Sequence, residues 1–547
     1  MAFTIKFNDG KHVSGKSQLS GHAAMKELGM PVNGDIVAWK VNNYVRPLDW
    51  TVEEDSEAEF ISTASSEGLN IYCRSLDFLF VIACSKVMGR KVILRHSISE
   101  GHYWEFEDGE ADQSDVRKLH EGMKELIRQD IPFERKILPI DKATRIFKEQ
   151  GQSEIADLFV RTNIDPVEVY QCSGQYGYFC STMVPSTGVL KIFDIVPFAR
   201  GMVLQYPTQA SPRSVPPFRG TKAQGEVFSD YASWLKALDL NYLSSLHRHV
   251  TAGRSQELIL ISEAFHSQRL SLIAEKVTSH PKIKVVTIAG PSASGKTTFS
   301  ERLKIQLIVC GKTPVTLPMD NYFLDRDEIV KDENGEYDYE VLEALDLKLL
   351  EDNLTRILRG EKVVTPRYNF LKGTKESGKA IQLNEEDVLI MEGIHGLNER
   401  VLDMLPQEQR LAVFVSPLTG ICIDPHNRTS TADNRLLRRL LRDHRSRGKS
   451  AEATFEMYPK VMRGAMRYIF PTQNRADMIF NSSLPYELGV LKGYVEPLLH
   501  TVPERSPFFG EALRLRNILK FVPSIQSENI PNNSVIREFI GGSCLDV

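Results

Sequence analysis

The run Gly290-Pro-Ser-Ala-Ser-Gly-Lys-Thr-Thr298 constrains this chain more than any other stretch. It fits G-x-x-x-x-G-K-[ST], the pattern of a glycine-rich loop that wraps phosphate. Its flanks suit that reading. Ile283-Lys-Val-Val-Thr-Ile-Ala289 is a β-branched apolar run and reads as a buried strand. Behind the loop, Phe299, Leu303, Leu307 and Ile308 recur at helical spacing until Gly311 stops them. A strand, a loop and a helix are what the chemistry needs, because loop amides and the helix dipole together favour an anion. The sequence therefore predicts that Gly290, Pro291, Ser292, Ala293, Ser294, Gly295, Lys296, Thr297 and Thr298 bind the phosphates of ATP. Lys296 would reach the β- and γ-phosphates, and the Thr297 hydroxyl would bind Mg²⁺.

At 547 residues the chain has room for three or four domains of ~150 residues. The apolar share of 42% and charged share of 25% are ordinary for globular protein. A net charge of −4 argues against a general nucleic-acid binder and leaves room for a local basic face. No apolar run approaches the ~18 residues of a membrane span. The opening Met-Ala-Phe-Thr-Ile-Lys lacks the apolar core of a signal peptide. Seven scattered cysteines without a C-x-x-C pair suit free thiols in a reducing cytosol, so the expected location is cytoplasmic.

Residues 1–65 read as a small β-rich unit. Phe3, Ile5 and Phe7 alternate with polar residues before the turn at Asn8-Asp9-Gly10. A second hairpin pairs Ile36–Val41 with Tyr44-Val45 across Asn42-Asn43, and His22–Leu28 is a short helix between the two. In pattern and order this resembles a TGS domain, the ubiquitin-like module of threonyl-tRNA synthetases, which implies docking or regulation. Residues 66–225 resemble the editing-type domain of the same synthetases. The resemblance rests on Ser65-Ser-Glu-Gly-Leu-Asn-Ile-Tyr72, Gly101-His-Tyr-Trp-Glu-Phe106 and Tyr170-Gln-Cys-Ser-Gly-Gln-Tyr-Gly-Tyr-Phe-Cys180. The departures matter more. The H-x-x-x-H pair of that family falls near Arg74-Ser-Leu-Asp-Phe78, where neither histidine stands. Its C-x-x-x-H falls at Cys180–Val184, where only the cysteine remains. The domain therefore reads as a fold whose original site is lost. His96 and His102, near Glu100, lack the partners a zinc site needs and read as an exposed and a packed histidine. Residues 226–280 read as a helical linker.

After the phosphate loop, the strand Pro314–Pro318 runs into Asp320-Asn-Tyr-Phe323. Strand C-terminal ends face the ligand crevice of a doubly wound sheet, so Asp320 would stand across from the phosphates. There it could take a proton from an acceptor hydroxyl and help to hold Mg²⁺. Asp387-Val-Leu-Ile-Met-Glu392 is an apolar strand ending in an acid, the arrangement that serves a metal on the nucleotide. In Asp433–Gly448, Arg435, Arg438, Arg439 and Arg442 recur three or four residues apart, with Arg445 and Arg447 at the end. A cationic helix with a flexible end suits a lid over phosphate.

These blocks are similar to the uridine kinase and phosphoribulokinase family. The resemblance makes Asp320 the catalytic aspartate and gives Lys296, Arg439, Arg442 and Arg447 charge-stabilising roles. It assigns metal duties to Thr297, Glu392 and Asp320, and acceptor contacts to Asp338, Glu340, Tyr368, Phe370 and Arg439. Lys449 and Met457 depart from the family where an arginine and a glutamine are expected to face the base.

The expected architecture is multidomain α/β. A P-loop kinase domain with a parallel sheet spans 281–503, preceded by the β-grasp-like domain, the α+β editing-like domain and the linker, and followed by a helix and tail over 504–547. The expected function is transfer from ATP-Mg²⁺ to a hydroxyl of a small acceptor, most simply the 5′-hydroxyl of a pyrimidine nucleoside. Two alternatives stand beside it: a kinase for another sugar or metabolite, and an ATP-dependent RNA- or ribosome-associated regulator. No membrane partner is expected, nucleic acid would engage only the front domains, and an oligomer is open.

Overall fold

The computed structural model describes residues 3–15, 17–30, 35–98, 101–179, 181–220, 222–332 and 335–547, without the side chains of 222–224 and 226. Glu100 and Cys180 lie outside the described residues. The chain divides into two units. One is Met1–Gly253 with Thr419–Ser430 and Glu496–Ser524; the other is Arg254–Leu418 with Thr431–Val495 and Ile525–Val547. Among the described residues no helix is long and apolar enough to cross a membrane.

The first unit begins with a five-stranded sheet. Its strands Phe3–Phe7, His12–Gly15, Ile36–Val41, Tyr44–Arg46 and Ser56–Ser62 lie in the order second, first, fifth, third, fourth. The first and fifth run parallel, and the other pairs are antiparallel. Asn42 and Asn43 both take positive φ, 47° and 65°, as a two-residue hairpin turn requires. The helix Ser66–Ala83 follows, capped by the Ser65 side chain. Val37, Ala38 and Ile61 of the sheet share one core with Ile71, Leu76 and Phe80 of this helix and with Trp104 and Leu204 beyond it. The expectation for the two histidines is reversed. His96 is buried and stacks on Phe228, and burial pushes its pKa well down. His102 keeps 23% of its side chain exposed and binds Asp77 at 2.9 Å through Nδ1. Alternation along the strand put His96 inward, and sequence spacing gave no sign of the Phe228 ring.

The second unit is a doubly wound sheet. Helix α1 (Ser255–Ser279) leads into strand β1 (Val285–Ala289), then α2 (Lys296–Val309), β2 (Thr313–Pro318), α3 (Leu347–Leu358), β3 (Asp387–Glu392), β4 (Arg410–Ser416), α4 (Thr431–Arg447), α5 (Ala451–Gly464), β5 (Met478–Asn481) and α6 (Arg537–Ile540). The sheet runs β2-β3-β1-β4-β5 and every pair is parallel. All five residues of β1 are buried, as a central parallel strand covered on both faces demands. One face packs Leu270, Ile273 and Val277 of α1 and Phe299, Leu303 and Leu307 of α2 against Val286, Ile288 and Val413. The other carries Leu350, Leu354 and Ile357 of α3 against Leu317, Leu389 and Met391. The parallel sheet therefore delivers the ends of β1, β2 and β3 to one edge, where the loop after β1, Asp320 and Glu392 emerge.

Candidate active site

The loop 290–297 is shaped by close backbone approach. A Cβ on Gly290 would stand 2.0 Å from the Val415 carbonyl oxygen, so the position admits no side chain. Gly295 takes φ +83°, in the left-handed region, directly before α2. Lys296 opens the helix with its Nζ 3.9 Å from Glu392 Oε1 and 3.5 Å from the Pro291 carbonyl oxygen. Thr297, in the same turn, is exposed.

Two strand-end carboxylates face Lys296. Burial pushes Glu392 up to about 7; Lys296 opposes the rise, while Asp320 and Glu538 add to it. Asp320 sits in the turn Met319–Tyr322 just after β2, open to solvent but partly desolvated by its protein surroundings. Those surroundings raise its pKa, and the charges of Lys296 and Arg447 oppose the rise. A carboxylate with a poised proton affinity beside a lysine can orient a hydroxyl and accept its proton. Glu340 is a third acid in the same field. Burial raises its pKa, and Arg439 and Lys296 pull it down. Its Oε2 is buried without a hydrogen-bond partner, so one acceptor oxygen is left to be satisfied. Asp338 accepts the Glu340 amide at 3.0 Å and shapes this turn. Tyr368 is buried among Phe323 and Phe370, whereas Phe370 is 58% exposed.

The arginine helix is locked to the loop rather than poised above it. Arg435 and Arg438 are fully buried. Arg435 Nε donates to the Ser292 carbonyl at 3.0 Å. Arg438 forks onto Glu487, itself buried, and donates to the Ser482 carbonyl at 2.9 Å. Those two are tethers. Arg439 and Arg442 then reach the Ser292 hydroxyl at 2.9 and 3.3 Å, and Asp443 holds Arg439 and Arg447 at 3.1 Å each. Charge spacing alone suggested a lid over phosphate with a flexible end. The tethers were hidden because their acceptors lie far along the chain. Lys449 and Met457, the two positions that depart from the family, touch each other.

The donors present suit a nucleotide and a hard cation. Thr297, Asp320 and Glu392 offer only oxygen. Among the described residues no group of three or more His, Cys, Asp or Glu could hold a metal by itself. Mg²⁺ takes one or two carboxylates and completes its shell with phosphate and water. Sequence reading missed Glu538 and the tethering of Arg438 by Ser482 and Glu487. Glu538 lies in the apolar run Val535-Ile-Arg-Glu-Phe-Ile540, and an acid inside such a run was the one available signal.

The sheet order, the glycine loop and the converging carboxylates define a P-loop kinase. Residues 285–487 match the Phosphoribulokinase / Uridine kinase family. A uridine kinase of Aliivibrio salmonicida is 30% identical over 220 residues, covering 39% of this chain and 94% of that protein. A uridine kinase of Staphylococcus aureus is 34% identical over 197 residues, or 36% of this chain and 86% of that one. Among solved structures, a D-glycerate 3-kinase from Cryptococcus neoformans aligns with 38% of this chain and 89% of its own at 16% identity and a TM-score of 0.29. The chain belongs to the phosphoribulokinase/uridine kinase family, and it is an ATP-dependent phosphotransferase.

Proposed function

We propose that the second unit transfers the γ-phosphoryl group of ATP, with Mg²⁺, to a hydroxyl of a small acceptor, most simply the 5′-hydroxyl of a pyrimidine nucleoside. The observation that carries this reading is the meeting of Asp320 and Glu392, at the ends of β2 and β3, with Lys296 at the start of α2. Loop amides and Lys296 hold the phosphates. Thr297 and Glu392 hold Mg²⁺, which screens the charge of the transferring group when bound. Asp320 orients the acceptor hydroxyl and takes its proton, while Arg439, Arg442 and Arg447 stabilise the equatorial charge. Glu340, with its unsatisfied buried oxygen, is the acceptor-side residue, Asp338 positions it, and the exposed ring of Phe370 flanks the acceptor. The uridine kinase relatives favour a nucleoside. The Lys449 and Met457 departures favour testing other alcohols beside it.

The front domains take a regulatory or docking part in this reading. The strand order of residues 3–62, with first and last strands parallel, supports a TGS-like β-grasp module. For residues 66–225 the editing-like reading comes with a closed site. Arg74 donates to the Thr182 carbonyl at 3.1 Å, and Phe78 packs on Phe133 and Phe179. The test is acceptor-dependent ADP release from a panel of nucleosides and sugar alcohols. Turnover on uridine or cytidine supports the nucleoside. Turnover on another member keeps the chemistry and changes the acceptor. ATP binding without any acceptor turnover, but with hydrolysis stimulated by RNA or ribosomes, would replace this reading with the regulator.

A further inference from the structure

The segment Ser534–Gly541 lies on the phosphate loop and on the arginine helix. Glu538 Oε2 accepts the Thr298 hydroxyl at 2.7 Å, and Thr298 belongs to the first turn of α2, whose amides face the anion. Val535 presses on the loop itself: a Cβ on Gly295 would meet its Cγ2 at 2.4 Å. Phe539 lies under the Arg438 guanidinium at 4.9 Å, and Arg445 donates to the Glu538 carbonyl at 2.9 Å. Ser534, Val535, Ile536 and Phe539 are all buried, so the segment is packed in place rather than draped.

Glu538 is the unusual member. It is 9% exposed, and among the described residues no cation lies within 4 Å of its carboxylate in an ion pair. Its charge is felt across the site: it adds to the burial-driven rise of Glu392 and opposes the burial-driven fall of Arg442. A carboxylate held by a hydroxyl in the first turn of α2 sits where the helix dipole favours an anion. A purely structural wall would have no need of a charge there, since burying one is costly.

We propose that Glu538 is a resident anion of the phosphate site, and that Ser534–Gly541 lowers the nucleotide affinity of this chain until bound phosphates displace its carboxylate. This rests on the reading of the loop as the ATP site. Phosphates arriving beside Thr298 meet a like charge, which either leaves with its segment or weakens binding. The segment is thus a built-in competitor whose release accompanies nucleotide binding.

The test is ATP affinity of the full chain by titration calorimetry, for the parent, Glu538→Gln and Glu538→Asp, with thermal melts to show that each folds. Hydrogen exchange across 534–541 is followed with and without ATP-Mg²⁺. Glu538→Gln keeps the shape and the acceptor atom and removes the charge. The expected result is about tenfold tighter ATP binding by Glu538→Gln, a gain that shrinks as salt rises. Glu538→Asp should stay near the parent, and exchange at 534–541 should speed up when ATP binds. Equal or weaker binding by a folded Glu538→Gln, or slower exchange with ATP bound, overturns the proposal and leaves the ATP site standing. Should neither chain bind ATP and Lys296→Met change nothing, the reading of the loop falls and takes the proposal with it.

Discussion

Two polar clusters in this chain invite chemistry, and they are built in opposite ways. In the first unit Arg74, Phe78 and Val184 are each spent on packing. Arg74 caps a carbonyl, Phe78 sits in an aromatic cluster, and the Val184 amide donates to Ser75. Nearby, Asp77 is shared by His102 and Tyr206 at 2.9 and 2.6 Å, so its oxygens are satisfied. In the second unit the polar groups do not cancel. Glu340 keeps a buried oxygen without a partner, Asp320 and Thr297 face solvent, and Lys296 stands 3.9 Å from Glu392. Satisfied polar groups hold a fold together; unsatisfied, mutually perturbing ones are available to a ligand. The comparison sets a packed, satisfied cluster against one left open to a ligand, although both contain acids and bases.

The largest expected effect is on chemistry. Asp320→Asn should lower turnover by ~10²–10⁴-fold, the usual worth of a positioned general base, with the thermal midpoint unchanged. Steady-state kinetics beside a melt checks both halves. A retained rate would move Asp320 into the structural class. Next comes the buried tether. Glu487→Ala leaves the Arg438 guanidinium buried without its carboxylate and should cost ~3–5 kcal/mol of stability in denaturant titrations. A loss below 1 kcal/mol would mean that the arginine helix is not locked down.

A smaller effect concerns pH. Burial, with the charge of Arg302 adding, pushes His266 down to about 3. The unfolded chain, with an ordinary histidine near 6.5, binds the proton first as pH falls. The neutral folded ring therefore contributes stability that is complete above pH ~6.5 and is lost toward pH 3, at ~1.4 kcal/mol per pH unit for this group. His266→Gln should flatten the stability profile between pH 4 and 6 by about one proton, read from melts across pH. An unchanged slope would place the titration elsewhere. The smallest effect is a null. His102→Asn should leave phosphotransfer unchanged, and a collapse of turnover in a folded variant would break the division between the two clusters.

Much of the second unit was legible in the sequence because local pattern and global fold agree there. The amphipathic run Leu347–Leu358 and the apolar run Asp387–Glu392 form the helix and strand their patterns suggest. The phosphate loop follows from a motif whose spacing is set by strand, turn and helix, and Asp320 and Glu392 stand at the ends of the apolar runs that precede them. What stayed hidden depends on distant partners. Arg435 and Arg438 read as part of a phosphate lid, because nothing local says that Ser292, Ser482 and Glu487 would hold them as tethers. Glu538 was invisible for the same reason, since it stands 240 residues from Thr298. His96 was misjudged because strand alternation competes with polarity, and the Phe228 ring settled the contest.

The most direct measurement is transfer of label from γ-³²P-ATP to an added alcohol by the parent and by Asp320→Asn at matched fold and matched ATP binding. Labelled acceptor from the parent, and its loss in the variant with ATP still bound, is the result expected. Labelled acceptor at equal rates from both would contradict the assignment of catalysis to the strand-end carboxylates beside Lys296.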